Sequence, residues 1–185
     1  MGLRAACIDI GSNTTRLLVA DCVGDELLEV HQERAFTRIG HGLVATGVIA
    51  PDKIDEVVSV VRAQIEVARR HGAQEVHGVA TAAIRTASNG AALVAAIAER
   101  TGLEVEIVSG EEEARLAFEG AAAMLDPGAA AVLGAGAAAL GVIDVGGGSS
   151  EIVVGCASDR VQWWTSVALG SGALTEHRLH SDPPS

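Results

Sequence analysis

Residues 142–155 read V-I-D-V-G-G-G-S-S-E-I-V-V-G and predict two strands joined by a turn of three glycines. Glycine has no side chain, so a ligand can come close to the backbone N–H groups of such a turn. N–H groups that cluster in a turn bind anions, often phosphate. By itself the motif also fits a plain tight hairpin, which needs no ligand.

The chain contains a second copy of this pattern near its N-terminus. Residues 6–20 read A-C-I-D-I-G-S-N-T-T-R-L-L-V-A and align with the later stretch without gaps. Asp9 falls on Asp144, 135 positions later, and Gly11 falls on Gly146. A repeat at so long a spacing is not a solenoid period and indicates two related lobes. We therefore predict two phosphate-binding turns that face each other across a cleft.

The composition of the chain limits what it binds. The 185 residues carry a formal net charge of −11, which argues against nucleic-acid binding through a basic field. Only 2% of the residues are aromatic, which disfavours a base-stacking surface. Neither a membrane-spanning run nor a signal peptide is recognised. Three cysteines without paired spacing suit a reducing compartment, so we expect a cytoplasmic protein without nucleic-acid or membrane partners.

The rest of the pattern predicts a mixed α/β fold. Strands are predicted at about residues 5–10, 14–21, 26–36, 76–81 and 103–108, the first three as an antiparallel meander. The glycine-rich residues 39–49 are interpreted as a loop. Helices are predicted to begin at Pro51, after a cap at Ser88 or Asn89, and after a cap at Ser109. This order indicates a mixed sheet with helices on its faces.

We divide the chain into three parts. Residues 1–128 form a first lobe, residues 129–141 an Ala/Gly-rich link that fits either a hinge or a helix of small residues, and residues 142–185 the incomplete start of a second lobe. The second lobe has a meander but lacks the helices that cover the first sheet. Because large apolar surfaces rarely stay bare, we expect either a fragment or a cover by another chain, such as a second copy in a homodimer.

Polar residues collect at the predicted carboxyl ends of the strands, where open α/β sheets bind ligands. Arg85 is a candidate phosphate clamp, since its guanidinium makes paired hydrogen bonds, although a solvated loop arginine fits equally well. Glu111, Glu112 and Glu113 lie in the first turn of a helix, where acidic residues also simply complement the helix dipole. Glu112 has the spacing of a capping-box partner of Ser109. Glu113 is therefore the candidate general base for a water that attacks phosphorus.

Three carboxylates are candidates for holding Mg²⁺, which prefers a few carboxylates together with phosphate oxygens. Asp9 and Asp144 precede the two glycine turns. Alternation along the second strand of the later hairpin places Glu151 on the same face as Ser149. A carboxylate there repels phosphate unless a cation intervenes, while the alternative for Glu151 is an exposed sheet residue. Arg16, at the matching position of the first hairpin, adds positive charge instead.

Four motifs resemble the exopolyphosphatase and guanosine pentaphosphate phosphohydrolase (Ppx/GppA) family, in its N-terminal part. They are I-D-I-G-S-N-T-T-R-L-L-V at 8–19, A-T-A-A-I-R at 80–85, S-G-E-E-E-A-R-L-A-F at 109–118 and I-D-V-G-G-G-S-S-E at 143–151. The glycine turn is shared across the superfamily of actin, sugar kinases and heat-shock chaperones, whereas S-G-x-E-E-A-R-L is specific to the phosphohydrolases. The resemblance implies an actin-like (ribonuclease H-like) first lobe with a mixed five-stranded sheet, followed by the beginning of a similar lobe.

Carried over by position, the resemblance implies that Glu113 is the catalytic base and that Arg85 contacts phosphate. It implies that Asp144 and Glu151 are associated with Mg²⁺ or another divalent cation, and Asp9 joins them by the repeat. The phosphate-binding residues would be Gly11, Ser12, Asn13, Thr14 and Arg16 in one turn and Gly146, Gly147, Gly148 and Ser149 in the other. The link looks longer than the usual one, and processive action is not expected of a chain that stops inside its second lobe.

The expected activity is release of the terminal phosphate from inorganic polyphosphate, or of the 5′ γ-phosphate from guanosine pentaphosphate. A water held by Glu113 would attack in line while Mg²⁺ and the glycine turns stabilise the charge. The alternatives are a nucleotide-binding ATPase or kinase of the actin superfamily and a non-catalytic sensor of a phosphorylated ligand.

Overall fold

The first sheet of the molecule has five strands. The computed structural model describes residues 2–24, 26–124, 139–156 and 160–178. Its first strands are β1 (Leu3–Ile10), β2 (Thr15–Val23), β3 (Glu26–Ala35), β4 (Glu75–Ala80) and β5 (Val105–Ile107). Their order across the sheet is β3-β2-β1-β4-β5, with antiparallel pairs among β1, β2 and β3 and parallel pairs among β1, β4 and β5. The predicted mixed five-stranded sheet is confirmed.

The helices cover both this sheet and a second, smaller one. Those described are α1 (Leu43–Thr46), α2 (Pro51–Arg70), α3 (Ala82–Thr86), α4 (Gly90–Thr101), α5 (Gly110–Ala123) and α6 (Ser171–Arg178). None of the helices among the described residues is both long and apolar enough to pass through a membrane.

The main hydrophobic core lies between α2 and the first sheet. Helix α2 begins at Pro51, which lacks the N–H group that would stay unpaired in a first turn. The buried residues of α2 recur at helical spacing and are Val57, Val58, Val61, Gln64, Ile65 and Ala68. Across from them, the inward-facing residues of β1 and β2 alternate as a half-covered strand requires, and Ile8, Ile10, Leu17 and Val19 are each at most 1% exposed.

The second sheet repeats the antiparallel meander of the first. Its strands are β6 (Ala139–Val145), β7 (Ser150–Cys156) and β8 (Arg160–Val167), in the order β6-β7-β8. Helix α5, which ends the first lobe, packs on all three of these strands. Phe118 and Ala114 of α5 form a small core there with Val153, and Trp164 packs against it.

The other face of the second sheet is bare among the described residues. Ile143 and Val145 are 69% and 59% exposed. In the alignment of the two hairpins they match Ile8 and Ile10, which are fully buried under α2 in the first sheet. The same pattern of residues therefore forms a core in one lobe and an exposed apolar face in the other.

Two predictions of local structure are wrong. Residues 39–49 are not a continuous loop, because they contain the one-turn helix α1. The strand predicted at 103–108 is shortened to Val105–Ile107, since only these residues pair with β4.

The predicted caps form only in part. Neither proposed residue caps α4 with its side chain, since Asn89 hydrogen-bonds the backbone N–H and carbonyl of Ile49 and Ser88 donates to the carbonyl of Gly47. At α5, the hydroxyl of Ser109 accepts from the N–H of Glu112 at 3.1 Å, as predicted. The carboxylate of Glu112 does not complete the capping box, because it accepts from Arg115.

The predicted division into lobes stays a prediction at its central point. Of the predicted link 129–141, residues 129–138 lie outside the described residues, and the last three already belong to β6. The end predicted for the third long helix, near Leu125, also lies outside them. What the structure adds is that α5, which lies in the predicted first lobe, packs on the strands of the predicted second lobe.

Candidate active site

The two glycine turns share the same internal geometry. Gly11 donates its N–H to the carbonyl of Thr14 at 2.9 Å, and Gly146 donates to the carbonyl of Ser149 at 2.9 Å. A Cβ atom on Gly11 would lie 3.1 Å from the oxygen of Thr14, and one on Gly146 would lie 3.2 Å from the oxygen of Ser149. The sequence repeat is therefore also a repeat of local structure.

The two turns lie directly against each other. A Cβ atom on Gly147 would be 2.8 Å from the Cβ of Asn13, and one on Gly148 would be 2.5 Å from the hydroxyl oxygen of Ser12. At Gly147 a Cβ would also lie 3.1 Å from the backbone nitrogen of Asn13, so a side chain at this position would push the turns apart. At Gly148 the nearest atom is the end of the Ser12 side chain, which can rotate away. The close contact of the turns therefore depends on Gly147.

A cleft of about 800 Å³ opens where the turns meet. Its lining includes residues of both turns, namely Ser12, Asn13, Gly147, Gly148 and Ser149, together with Arg38, Arg85 and Ser166. The chain has 24 acidic and 13 basic residues, yet no aspartate or glutamate of the described residues lines this cleft. Such a local reversal of the charge balance favours an anionic ligand.

Arg85 and Glu113 are brought together from different elements. Helix α3, which the sequence analysis did not identify, carries Arg85, and the first turn of α5 carries Glu113. Nη1 of Arg85 donates to Oε2 of Glu113 at 2.9 Å and to the carbonyl of Val108 at 2.8 Å. Their side chains are 26% and 17% exposed. Arg85 is thus a partly buried, ion-paired residue and not a solvated one.

The environment of Glu113 makes it a stronger base than an ordinary glutamate. Burial raises the pKa of Glu113, and the nearby carboxylates of Glu151 and Asp9 raise it further. The hydrogen bond from Arg85 acts in the opposite direction, but the net shift of the pKa is upward. A carboxylate with a raised pKa accepts a proton more readily near neutral pH.

Glu151 is enclosed and not an exposed sheet residue. Only 1% of it is exposed, and its Oε1 accepts a hydrogen bond from the hydroxyl of Ser166 at 2.7 Å. Asp144 lies opposite Glu151 across the β6–β7 pair and is itself exposed. Glu113 and Glu151 therefore each touch the lining of the cleft through one hydrogen bond, the first through Arg85 and the second through Ser166.

Asp9 is a carboxylate in an unfavourable environment. Its Oδ1 is buried and has no hydrogen-bond partner among the described residues. Burial raises the pKa of Asp9, Arg16 lowers it and Asp144 raises it, with a net upward shift. A buried carboxylate oxygen without a donor is a position that a bound cation would satisfy.

Among the residues that the structure describes, no group of three or more histidine, cysteine, aspartate or glutamate residues is arranged to hold a metal ion on its own. Asp9, Asp144 and Glu151 therefore fit Mg²⁺ only in its usual mode, in which one or two carboxylates act together with phosphate oxygens and water. The unpartnered Oδ1 of Asp9 is the observation in favour of such a cation.

The remaining predicted residues lie at the edge of the first turn, and two further residues were missed. Arg16 is exposed, and its Nε donates to the hydroxyl of Thr14 at 3.4 Å.

Ser166 was not identified because its position opposite Glu151 depends on the pairing register of β7 and β8, which includes a bulge at Val154/Gly155. Arg38 was not identified because it falls beside the stretch interpreted as loop.

The first sheet has the strand order β3-β2-β1-β4-β5, and its antiparallel meander recurs in the second sheet. The glycine turns of the two sheets meet at a cleft. Together these features define an actin-like fold. Residues 18–185 match the model of the Ppx/GppA phosphatase family, and the chain belongs to this family.

Relatives and solved structures agree with this assignment. Exopolyphosphatase 2 of Mycobacterium tuberculosis (strain CDC 1551 / Oshkosh) is 38% identical over 191 residues, which cover 98% of this chain and 56% of that protein. The crystal structure of the Aquifex aeolicus Ppx/GppA family member has a TM-score of 0.78 at 31% identity, covering 99% of this chain and 56% of that one. An exopolyphosphatase from Cytophaga hutchinsonii has a TM-score of 0.80 at 25% identity, covering 96% and 54%. The chain thus spans about half the length of the relatives it matches.

Substitution of Gly147 by alanine is expected to separate the two turns. The added methyl group would overlap Asn13, and such overpacking lowers the free energy of unfolding by about 1–3 kcal/mol. The matched control is Gly141→Ala in β6, where an added Cβ meets nothing within 4 Å. Urea unfolding of both variants measures the effect, and equal stability of the two would show that the turns do not touch in solution.

Asp9→Asn is expected to stabilise the fold at neutral pH. The folded-state pKa of Asp9 is raised, so its ionised form is disfavoured by folding above that pKa, and this penalty disappears as the pH falls below the unfolded-state pKa. The variant should unfold at a higher temperature than the wild type at pH 7 in EDTA, by roughly 2–4 °C for each kcal/mol, with the difference shrinking towards pH 4.

Asp21→Asn is the control with the opposite sign. The hydrogen bond from Arg4 lowers the pKa of Asp21, so its contribution to stability is present at neutral pH and is lost as the pH falls through that lowered value. This variant should unfold at a lower temperature than the wild type at pH 7. A lower unfolding temperature for both variants would contradict the assignment of Asp9 as a carboxylate whose ionised form is disfavoured in the folded state.

Proposed function

We propose that this chain hydrolyses phosphoric anhydrides, releasing the terminal phosphate of inorganic polyphosphate or the 5′ γ-phosphate of guanosine pentaphosphate. The observation that carries the proposal is the partly buried Arg85–Glu113 pair at the border of a cleft without acidic lining residues. Membership of the Ppx/GppA phosphatase family supports it, as do relatives named exopolyphosphatase. Because the chain spans about half of those relatives, its own activity remains a proposal.

The glycine turns supply the binding groups for the phosphates. The backbone N–H groups of Ser12, Asn13, Gly147 and Gly148 donate no hydrogen bond to another described residue. All four residues line the cleft, and polar groups there need partners. Phosphate oxygens are suitable acceptors because several N–H groups can share one negative charge. The predicted phosphate-binding role of the turns, including Gly11, Thr14, Gly146, Ser149 and Arg16, is part of this proposal.

Glu113 acts as the general base in this proposal. It takes a proton from a water molecule whose oxygen forms a bond with the terminal phosphorus, while the anhydride P–O bond breaks and the shortened chain leaves. Burial and the neighbouring carboxylates favour the protonated state that Glu113 reaches in this step. Arg85 holds the carboxylate of Glu113 through Nη1, and its Nη2 is available for a phosphate oxygen.

Asp9, Asp144 and Glu151 are the residues that would hold Mg²⁺ or another divalent cation. When bound, the cation would neutralise charge on the phosphate oxygens and relieve the repulsion between Asp9 and Asp144. Ser166 keeps the carboxylate of Glu151 in a fixed orientation by donating to its Oε1.

The expectations about cellular location and partners rest on the sequence alone. A cytoplasmic location, the lack of nucleic-acid and membrane partners, and a homodimer that covers the second sheet all stay predictions. The bare face that carries Ile143 and Val145 is the observation in favour of such a cover.

Phosphate release from three substrates tests the proposed activity. With MgCl2 present, the chain should release orthophosphate from polyphosphate or from guanosine pentaphosphate faster than from ATP at equal phosphate concentration. Release from ATP alone would favour an ATPase or kinase of the actin superfamily. Tight binding of these compounds without release would favour a sensor and would contradict the hydrolase proposal.

Glu113→Gln is expected to lower turnover by about 10²–10⁴-fold because it removes the base. Ligand affinity, measured by calorimetry, should stay within about threefold, since the phosphate-binding groups remain. Glu111→Gln, an exposed residue of the same helical turn, is the control and should keep its turnover. The wild-type rate should fall as the pH drops through the raised pKa of Glu113, at a higher pH than for an ordinary glutamate. Unchanged turnover in Glu113→Gln would refute the assignment.

A further inference from the structure

Arg38 is a second arginine in the lining of the cleft, and neither the sequence motifs nor the proposed chemistry uses it. It lies in the segment between β3 and α1. Its side chain is exposed and makes no hydrogen bond or ion pair with another described residue. The other arginine of the lining, Arg85, has Nη1 bound to Glu113 and Val108. The cleft therefore contains one guanidinium tied to the base and one that is not engaged within the described part of the chain.

The backbone of Arg38 is held in an unfavourable conformation. Its φ is +47°, and every other described residue with a positive φ is a glycine. A side chain disfavours this region because its Cβ crowds the following carbonyl. On one side, Thr37 is fully buried with its hydroxyl 3.1 Å from that of Thr15, and on the other side Ile39 is 1% exposed. Two buried anchors thus fix the bend that presents Arg38 at the surface of the cleft.

The same segment is hydrogen-bonded to the first glycine turn. The N–H of Arg38 donates to the carbonyl of Asn13 at 3.0 Å, and the N–H of Gly40 donates to the carbonyl of Ser12 at 2.8 Å. The Cα of Arg38 therefore has a fixed position relative to the backbone N–H groups of the proposed phosphate site. An arginine that merely solvates a surface needs no such placement.

We propose that Arg38 binds a phosphate group of the substrate other than the one that reacts. The inference rests on the proposed function, because it assumes that the reacting phosphate lies near Glu113 and Arg85. Arg38 has no hydrogen bond with either residue, so its ligand is a separate part of the same substrate. A compound with several linked phosphates engages both arginines at once, whereas orthophosphate engages one. Arg38 is thus the residue that selects phosphate chains over single phosphates.

Arg38→Gly tests this assignment with little risk to the fold. Glycine removes the guanidinium and accepts a positive φ, so the variant should unfold at the same temperature as the wild type or at a higher one. Arg34→Ala is the matched control, because it removes the same charge from β3 at a residue outside the lining of the cleft. Arg38→Lys keeps the charge but not the paired donors.

Calorimetric titration of the whole chain with tripolyphosphate and with orthophosphate, in MgCl2, is the measurement. In Arg38→Gly the affinity for tripolyphosphate should fall about tenfold, as expected for the loss of one charge-assisted hydrogen-bonding group, while the affinity for orthophosphate stays constant. Arg38→Lys should lie between the wild type and Arg38→Gly, and Arg34→Ala should resemble the wild type.

The outcomes separate this inference from the proposed function. If the wild type binds tripolyphosphate and Arg38→Gly binds it equally well, the role of Arg38 is refuted while the hydrolase proposal stands. An equal loss for tripolyphosphate and orthophosphate places Arg38 at the reacting phosphate and also refutes the inference. If the wild type releases orthophosphate from neither polyphosphate nor guanosine pentaphosphate while Arg38→Gly still loses affinity for tripolyphosphate alone, the hydrolase proposal fails and Arg38 keeps its role as a ligand of linked phosphates. If the wild type does not bind tripolyphosphate, both fail.

Discussion

The contact between the two glycine turns is the constraint on which the rest of the structure depends. Ser12 and Asn13 approach Gly147 and Gly148 so closely that a Cβ on Gly147 would overlap Asn13. That contact fixes the relative position of the ends of β1 and β6 and places residues of both turns in the lining of one cleft. The carbonyls of Ser12, Asn13 and Gly147 accept hydrogen bonds from Gly40, Arg38 and Gly172, whereas the N–H groups of these three residues donate to no other described residue.

The buried carboxylates near the cleft lower the stability of the fold, although the proposed chemistry needs them. Asp9 and Glu113 both lie where burial disfavours their ionised forms, and Glu151 is almost fully enclosed with Ser166 as its hydrogen-bond donor. A structure that served only to fold would place apolar residues at these positions. Carboxylates with raised pKa values cluster at functional sites, because a base must be poised near the working pH. The rest of the lobe offsets the penalty through the apolar core beneath α2.

Much of the fold could be predicted from the sequence because its signals are local. Alternating apolar residues identify β1, β2, β6 and β7, and the cap at Ser109 marks the start of α5. The repeat of Asp9-x-Gly11 gives the relation between the hairpins. Features that depend on tertiary contacts could not be predicted. The position of Ser166 opposite Glu151, for example, depends on the pairing register of β7 and β8 and on the bulge at Val154/Gly155.

The candidate site, like the fold, could be predicted only where its signals are local. Residue types and their order identify Glu113 and Arg85 as candidates, but their hydrogen bond depends on the short helix α3, which has no periodic pattern of its own. The positive φ of Arg38 follows from the burial of its neighbours and not from its own type, since arginine does not favour this conformation. Long-range packing decides both.

The packing of α5 on the second sheet has a consequence for motion. Glu113 belongs to α5 and is tied through Phe118 to β6, β7 and β8, whereas Arg85 belongs to α3 and the first lobe. A hinge rotation that opened the cleft would carry Glu113 away from Arg85 together with the second sheet. The Arg85–Glu113 hydrogen bond would then be complete only in the closed conformation, and in the proposed mechanism domain closure would couple capture of a ligand to assembly of the base.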